Sequence, residues 1–168
     1  GYDDAILGNA MEKLEFECFS DNVENSLTKN VVGMGAIPKY VGDRLNSFKS
    51  EYEKLYALIR NCNLVIHEMK ETDTEMAKAC YATAYTLRGV AYYNLMRLFC
   101  EPYNKQKADE QLGLSIVTRF DMEARPKRSS LQEIVSLIEE DLKKGISYNS
   151  KSEIFRYTVD VAKAYLAR

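Results

Sequence analysis

From Phe48 to Met69 the apolar positions step by three and four: Phe48, Tyr52, Leu55, Tyr56, Ile59, Cys62, Ile66 and Met69. That spacing draws one stripe along a helix and predicts a single face buried against a partner. From Glu75 to Phe99 two stripes overlap. One runs through Met76, Cys80, Ala84, Leu87, Ala91, Leu95 and Leu98, the other through Tyr81, Tyr85, Tyr92, Met96 and Phe99. A helix apolar on most of its circumference belongs in the centre, with neighbours on two sides. Thr72-Asp73-Thr74-Glu75 between them fits a T-x-x-E capping box, with Asp73 and Thr74 as alternative caps. So short a link predicts an antiparallel pair. Pro102, which has no amide hydrogen, predicts where the second helix must already have stopped.

A third helix reads from Leu131 to about Gly145, with Leu131, Ile134, Val135, Ile138 and Leu142 inward. Ser129 or Ser130 caps it, and Gly145 suits its exit. A fourth begins near Thr158, with Val161, Ala162, Tyr165 and Leu166 inward, and is still amphipathic at Arg168, which reads as part of something longer. An earlier helix is expected over Asp4 to Phe16, with Ile6, Ala10, Met11 and Leu14 inward. Glu17–Ser47 and Cys100–Arg128 show no clear period. Both exceed the roughly 12–15 residues at which a structureless loop becomes unusual. Val31, Val32, Ile37 and Tyr40 in one, and Leu114, Ile116, Val117 and Phe120 in the other, predict ordered loops packed on helices. The fold class is therefore all-α: antiparallel helix pairs in a tetratricopeptide-like arrangement with two long ordered loops.

Composition narrows the function. A formal charge of -2 offers no electrostatic grip on a phosphate backbone, so nucleic acid is not an expected partner. No apolar run approaches the roughly 20 residues that a membrane-crossing helix needs. Cys18, Cys62, Cys80 and Cys100 form no CxxC pair and read as small buried hydrophobes; spacing leaves a Cys62–Cys80 bridge open. His67 is the single histidine, and one possible partner, Glu71, a turn away makes no metal site. No metal or other cofactor is expected. A hydrolase needs two converging carboxylates, and no spacing singles out Asp21, Asp43 or Asp109 for that work.

Three polar residues interrupt apolar helix faces. An unpaired Arg88 would be costly to bury, and Asp141 of the third helix is its expected partner in a structural ion pair. Asn63 is expected to hold a loop carbonyl. Of twelve tyrosines, Tyr40, Tyr103 and Tyr148 fall in loops, the last two beside Asn104 and Asn149. Aromatic faces with neighbouring amides suit sugar recognition, and packing accounts for the same residues equally well. Tyr40, Tyr103, Asn104 and Tyr148 are the candidate ligand-binding residues.

Several blocks resemble one family. Tyr56, Ile59, Asn63 and Ile66 match its Y-x-x-I-x-x-x-N-x-x-I helix. Arg88, Tyr92 and Leu95 match R-A-x-x-Y-x-x-L, with Gly89 in place of alanine. Leu112 to Thr118 is similar to a strand-like G-I-P-L-V-T segment, with Ser115 replacing proline. Arg128, Ser130, Glu133, Ile138, Asp141 and Leu142 follow R-x-S-x-x-E-V-x-x-x-I-x-x-D-L, and Val161 to Arg168 resembles A-A-x-A-L-L-A-R. The family is SusD/RagB. The resemblance implies that residues 1–168 are a single helical domain, the N-terminal part of a longer non-enzymatic protein. It implies a surface-exposed outer-membrane lipoprotein, with the signal and lipidated cysteine upstream of Gly1. The lipid anchor would be its one tie to the membrane. Such a protein captures a glycan or other nutrient and delivers it to a TonB-dependent, SusC-like transporter. The alternative is a helical-repeat module that binds protein or peptide without a nutrient role.

Overall fold

A computed structural model describes residues 45–70, 73–119, 121, 123, 125–150 and 157–168, with side chains from residue 49 onward. The expected helix over Asp4–Phe16, Tyr40, Cys18, Glu71, Thr72 and Phe120 lie outside the described residues. The chain divides into two compact units, residues 1–54 and 55–168. Of the first, the opening turns of helix α1 (Leu45–Glu68) are described, where Lys54 reaches Glu51 at 2.8 Å.

Within the second unit, α1 from Leu55 onward buries Leu55, Leu58, Ile59, Cys62 and Asn63. Helix α2 spans Glu75–Phe99 and is the centre of the unit, with Val90, Ala91, Tyr92 and Leu95 wholly buried. Its overlapping stripes thus serve two neighbours. Met76 departs from the expected stripe: it lies in the first turn and is 51% exposed, beyond the reach of either neighbour. Thr74 is the N-cap, its hydroxyl accepting from the Ala77 amide at 3.2 Å. Met69 accepts from the Tyr81 hydroxyl, Asn63 from Arg88, and Tyr56 meets Tyr92 edge-on at 6.3 Å. As one partner number rises the other falls, so α1 and α2 run antiparallel.

Between α2 and the next helix the chain forms a two-stranded antiparallel ribbon, β1 (Leu112–Ser115) with β2 (Arg128–Ser130). Leu112 pairs with Ser130 and Ser115 with Arg128, with an irregularity between them. This is the one departure from an all-helical architecture among the described residues. Within the long connection Ala108 and Leu114 are buried, so its described residues pack against the helices as its apolar residues predict.

Helix α3 (Leu131–Ser147) starts on a complete capping box: Ser130 Oγ accepts from Glu133 N, and Glu133 Oε2 accepts from Ser130 N. Leu131, Ile134, Ile138 and Leu142 form its buried face. Gly145 does not end it. The helix continues through Ser147, and Asn149 takes the left-handed conformation at φ 45. Gly145 instead lies against α2, where a Cβ would stand 2.5 Å from Thr86 Oγ1 and 3.1 Å from the Ala82 carbonyl oxygen. A glycine read as an exit signal is a contact point between helices, because only a residue without Cβ lets the two backbones approach so closely. Helix α4 (Val159–Ala167) packs Ala162 inward and sets Tyr165 edge-on to Tyr93 at 5.5 Å.

Candidate functional site

The three helices of the core meet at a buried polar hub. Arg88 donates through Nε and Nη2 to the two Asp141 oxygens, both at 2.7 Å, and through Nη1 to Asn63 Oδ1 at 2.8 Å. Arg88, Asp141 and Asn63 are 5%, 3% and 0% exposed. Burial works against both charges. It pushes the Asp141 carboxyl above its usual range, against the opposing pull of Arg88. It also presses the guanidinium down, but the hydrogen bonds and charge of Asp141 outweigh it and hold Arg88 above its usual value. A planar fork bonded at both prongs is the geometry in which an arginine tolerates such a site.

From this hub a carbonyl ladder is held. Asn63 Nδ2 donates to the Val117 carbonyl at 2.9 Å, and one turn along α1 His67 Nε2 meets the Thr118 carbonyl at 2.8 Å. A carbonyl only accepts, so Nε2 carries the proton. Tyr56 donates to the Ser115 carbonyl at 2.8 Å, and the Tyr92 hydroxyl accepts from Val117 N at 2.7 Å. Residues 115–118 therefore lie along α1 without strand partners of their own beyond Ser115, with the Ser115, Val117 and Thr118 carbonyls and the Val117 amide bonded to side chains. His67, which the sequence gives no metal site, is exposed yet anchors this segment. Among the described residues no group of three or more histidines, cysteines or acids could hold a metal ion.

Of the described candidate ligand residues, Tyr103 and Asn104 lie together and Tyr148 lies apart from them. Tyr103 sits at the start of the connection after α2, and its hydroxyl donates to Gln132 Oε1 in the first turn of α3 at 2.9 Å. Tyr148 caps the other end of α3. Sixteen residues of helix separate Gln132 from Tyr148, which is roughly 24 Å at 1.5 Å per residue. The Tyr148 ring is stacked on Tyr81 (5.5 Å, 12° between planes) and Tyr85 (6.1 Å, 22°), with Lys144 Nζ 5.5 Å from its centroid. Its faces are engaged in packing. Beside it a cleft is lined by Glu75, Lys78, Ser147, Tyr148 and Asn149. Lys78 is already paired there with Asp73 at 2.7 Å and Glu75 at 3.5 Å. Tyr103, in contrast, is 42% exposed. Asn104 stands next to it, its Oδ1 accepting from Gln106 N at 3.0 Å. Gln111 and Gln132, which complete this surface, carry no motif in the sequence and become visible through the hydrogen bonds that gather them.

Cys62, Cys80 and Cys100 are free thiols, so the bridge between Cys62 and Cys80 that spacing left open does not form. Burial pushes the Cys62 thiol up to about 12. Among the described residues no helix is long and apolar enough to cross a membrane.

A family model described as "Starch-binding associating with outer membrane" (SusD-like) matches residues 4–168. No curated protein matches the chain significantly. The chain is similar to the crystal structure of a Bacteroides vulgatus protein of assigned, not demonstrated, sugar-binding function, at 27% identity and a TM-score of 0.60. That likeness covers 70% of this chain and 28% of the other, so the chain spans little more than a quarter of that protein's length. The helix that carries Arg88, the helix that answers with Asp141 and the segment that α1 and α2 hold between Ser115 and Thr118 all fall within the matched span: the chain belongs to the SusD-like family.

Proposed function

We propose that the protein captures glycan at the cell surface and delivers it to a TonB-dependent, SusC-like transporter, as a binding protein without a catalytic step. The observation that carries this reading is the family match over nearly the whole chain, to a family described by starch binding at the outer membrane. The likeness to a protein of assigned sugar-binding function supports the same ligand class. The architecture suits capture: a helical frame holds a loop whose exposed groups include Tyr103, Asn104 and Gln106, which can meet both the apolar and the hydroxyl-bearing surfaces of a sugar. In this reading the helical face meets the transporter, the loops face the nutrient, and an N-terminal lipid ties the protein to the membrane.

Two measurements test it. Calorimetry of the protein in its full natural length, without lipid, against soluble polysaccharides and oligosaccharides is expected to find at least one glycan class that binds. Purification of the tagged protein from outer membranes is expected to bring the transporter with it. Glycan binding without the transporter would remove the delivery step, and binding of no glycan would remove the capture role.

A further inference from the structure

We infer that the exposed ring of Tyr103, with the side-chain amides of Asn104 and Gln132 beside it, is a subsite for one pyranose ring of a glycan; the inference rests on the capture role proposed above. Among the described residues Tyr103 is the most exposed aromatic of the large hydrophobics left at the surface, at 42%. It is fixed nevertheless. Its hydroxyl is bonded to Gln132, and the turn that carries it is tied from several directions. Gln111 Nε2 donates to the Pro102 carbonyl at 3.0 Å, and its Oε1 accepts from Asn104 N at 3.0 Å, bracketing Tyr103 on both sides. Backbone bonds from Leu131 N to the Gln111 carbonyl (2.9 Å) and from Gln132 N to the Ala108 carbonyl (3.1 Å) dock the turn on α3. Ala108, 1% exposed, plugs it into the core.

A ring held this way has already lost its conformational freedom, so a ligand that covers it bears little ordering cost. An aromatic face is electron-rich and attracts the weakly positive C–H face of a pyranose. Hydroxyls around the sugar both donate and accept, and side-chain amides can answer both roles. Asn104 has its oxygen engaged by Gln106 N, and its NH2 group has no acceptor among the described residues. Among the described residues Gln132 Nε2 is held only by a long 3.4 Å bond to Ser136 Oγ, so it can turn to a ligand. Tyr148, the other described tyrosine expected to bind, differs on this point, since three neighbours already lie against its ring.

The test is calorimetric titration of the full-length protein and its Tyr103→Ala and Tyr103→Phe variants with maltoheptaose and with β-glucan, xylan and mannan oligosaccharides. Thermal melting of each variant is followed in parallel. The expected result is binding of at least one of these by the unaltered protein, weakened about tenfold or more by Tyr103→Ala and less than about threefold by Tyr103→Phe, which keeps the face. Equal weakening by both variants, together with a drop in melting temperature, would assign Tyr103 to holding the turn through Gln132 and overturn the subsite. Undiminished binding by Tyr103→Ala would also overturn it and leave the capture role intact. Binding of no glycan by the unaltered protein would remove the capture role and the subsite with it.

Discussion

Arg88 and Asp141, 53 residues apart in the chain, face each other across α2 and α3 through two parallel hydrogen bonds of 2.7 Å. The same guanidinium reaches Asn63 on α1, so one arginine joins the three helices of the core. Removing one side of a buried pair leaves the other charge without compensation. Asp141→Ala is expected to lower stability by about 3–5 kcal/mol, read from the urea midpoint. The double variant Arg88→Met, Asp141→Leu is expected to recover a large part of that loss, because no lone charge then remains in the core. A loss in the double variant equal to the sum of the single losses would show that the two residues act separately.

Gly145 of α3 lies directly against Thr86 of α2. Gly145→Ala favours the helix by propensity, which taken alone is worth about 1 kcal/mol of stability. The added Cβ would stand 2.5 Å from Thr86 Oγ1 and 3.1 Å from the Ala82 carbonyl oxygen. Overpacking of this kind costs about 1–3 kcal/mol, so the net effect is expected to be destabilising. Thr86→Ala in the same chain relieves the shorter contact, and a double-mutant cycle should show coupling above about 0.5 kcal/mol. Simple additivity would mean that the helices are free to move apart.

Cys62 carries a thiol whose pKa burial raises from 9.0 to about 12. The native fold holds that proton more tightly than the unfolded chain does. The contribution to stability is therefore intact below about pH 9 and is lost as pH climbs toward 12. At pH 8 three units of pKa leave about a thousandfold less thiolate than an ordinary cysteine has. Alkylation of the folded protein, followed by peptide mass spectrometry, should leave Cys62 unmodified until denaturant is added. Labelling of Cys62 in the folded protein at the rate of a free thiol would contradict its burial.

The helices are legible because each carries its own signal. The three- and four-residue steps of α1, the doubled stripes of α2 and the Ser130–Glu133 box of α3 are local, and periodicity and capping chemistry act within a few residues. Even the partnership of Arg88 with Asp141 is readable, since a charge inside an apolar stripe must be answered somewhere and few candidates exist. The ribbon of β1 and β2 leaves a weaker trace. Its strands are four and three residues long and separated by twelve, too short for period-two alternation to show. Gly145 misleads for a related reason: the same residue type serves a helix exit and a close helix crossing, and the neighbour that distinguishes them is 59 residues away.

The tyrosines divide along the same line. Their composition announces surfaces able to pack and to bond at once, but nothing near Tyr103 or Tyr148 in the chain says which ring is covered. Tyr81 and Tyr85 lie one helical turn apart on α2 and take up Tyr148 from the far end of α3, whereas the Tyr103 turn is pinned by its hydroxyl with its ring still open. The sequence by itself therefore determined the helical class, the boundaries of the described helices to within a few residues and the family. The tertiary structure alone decided which aromatic ring stays exposed, which carbonyls Asn63 and His67 hold, and where two backbones touch. Those depend on distances between residues far apart in the chain, which periodicity cannot encode because it repeats every few residues.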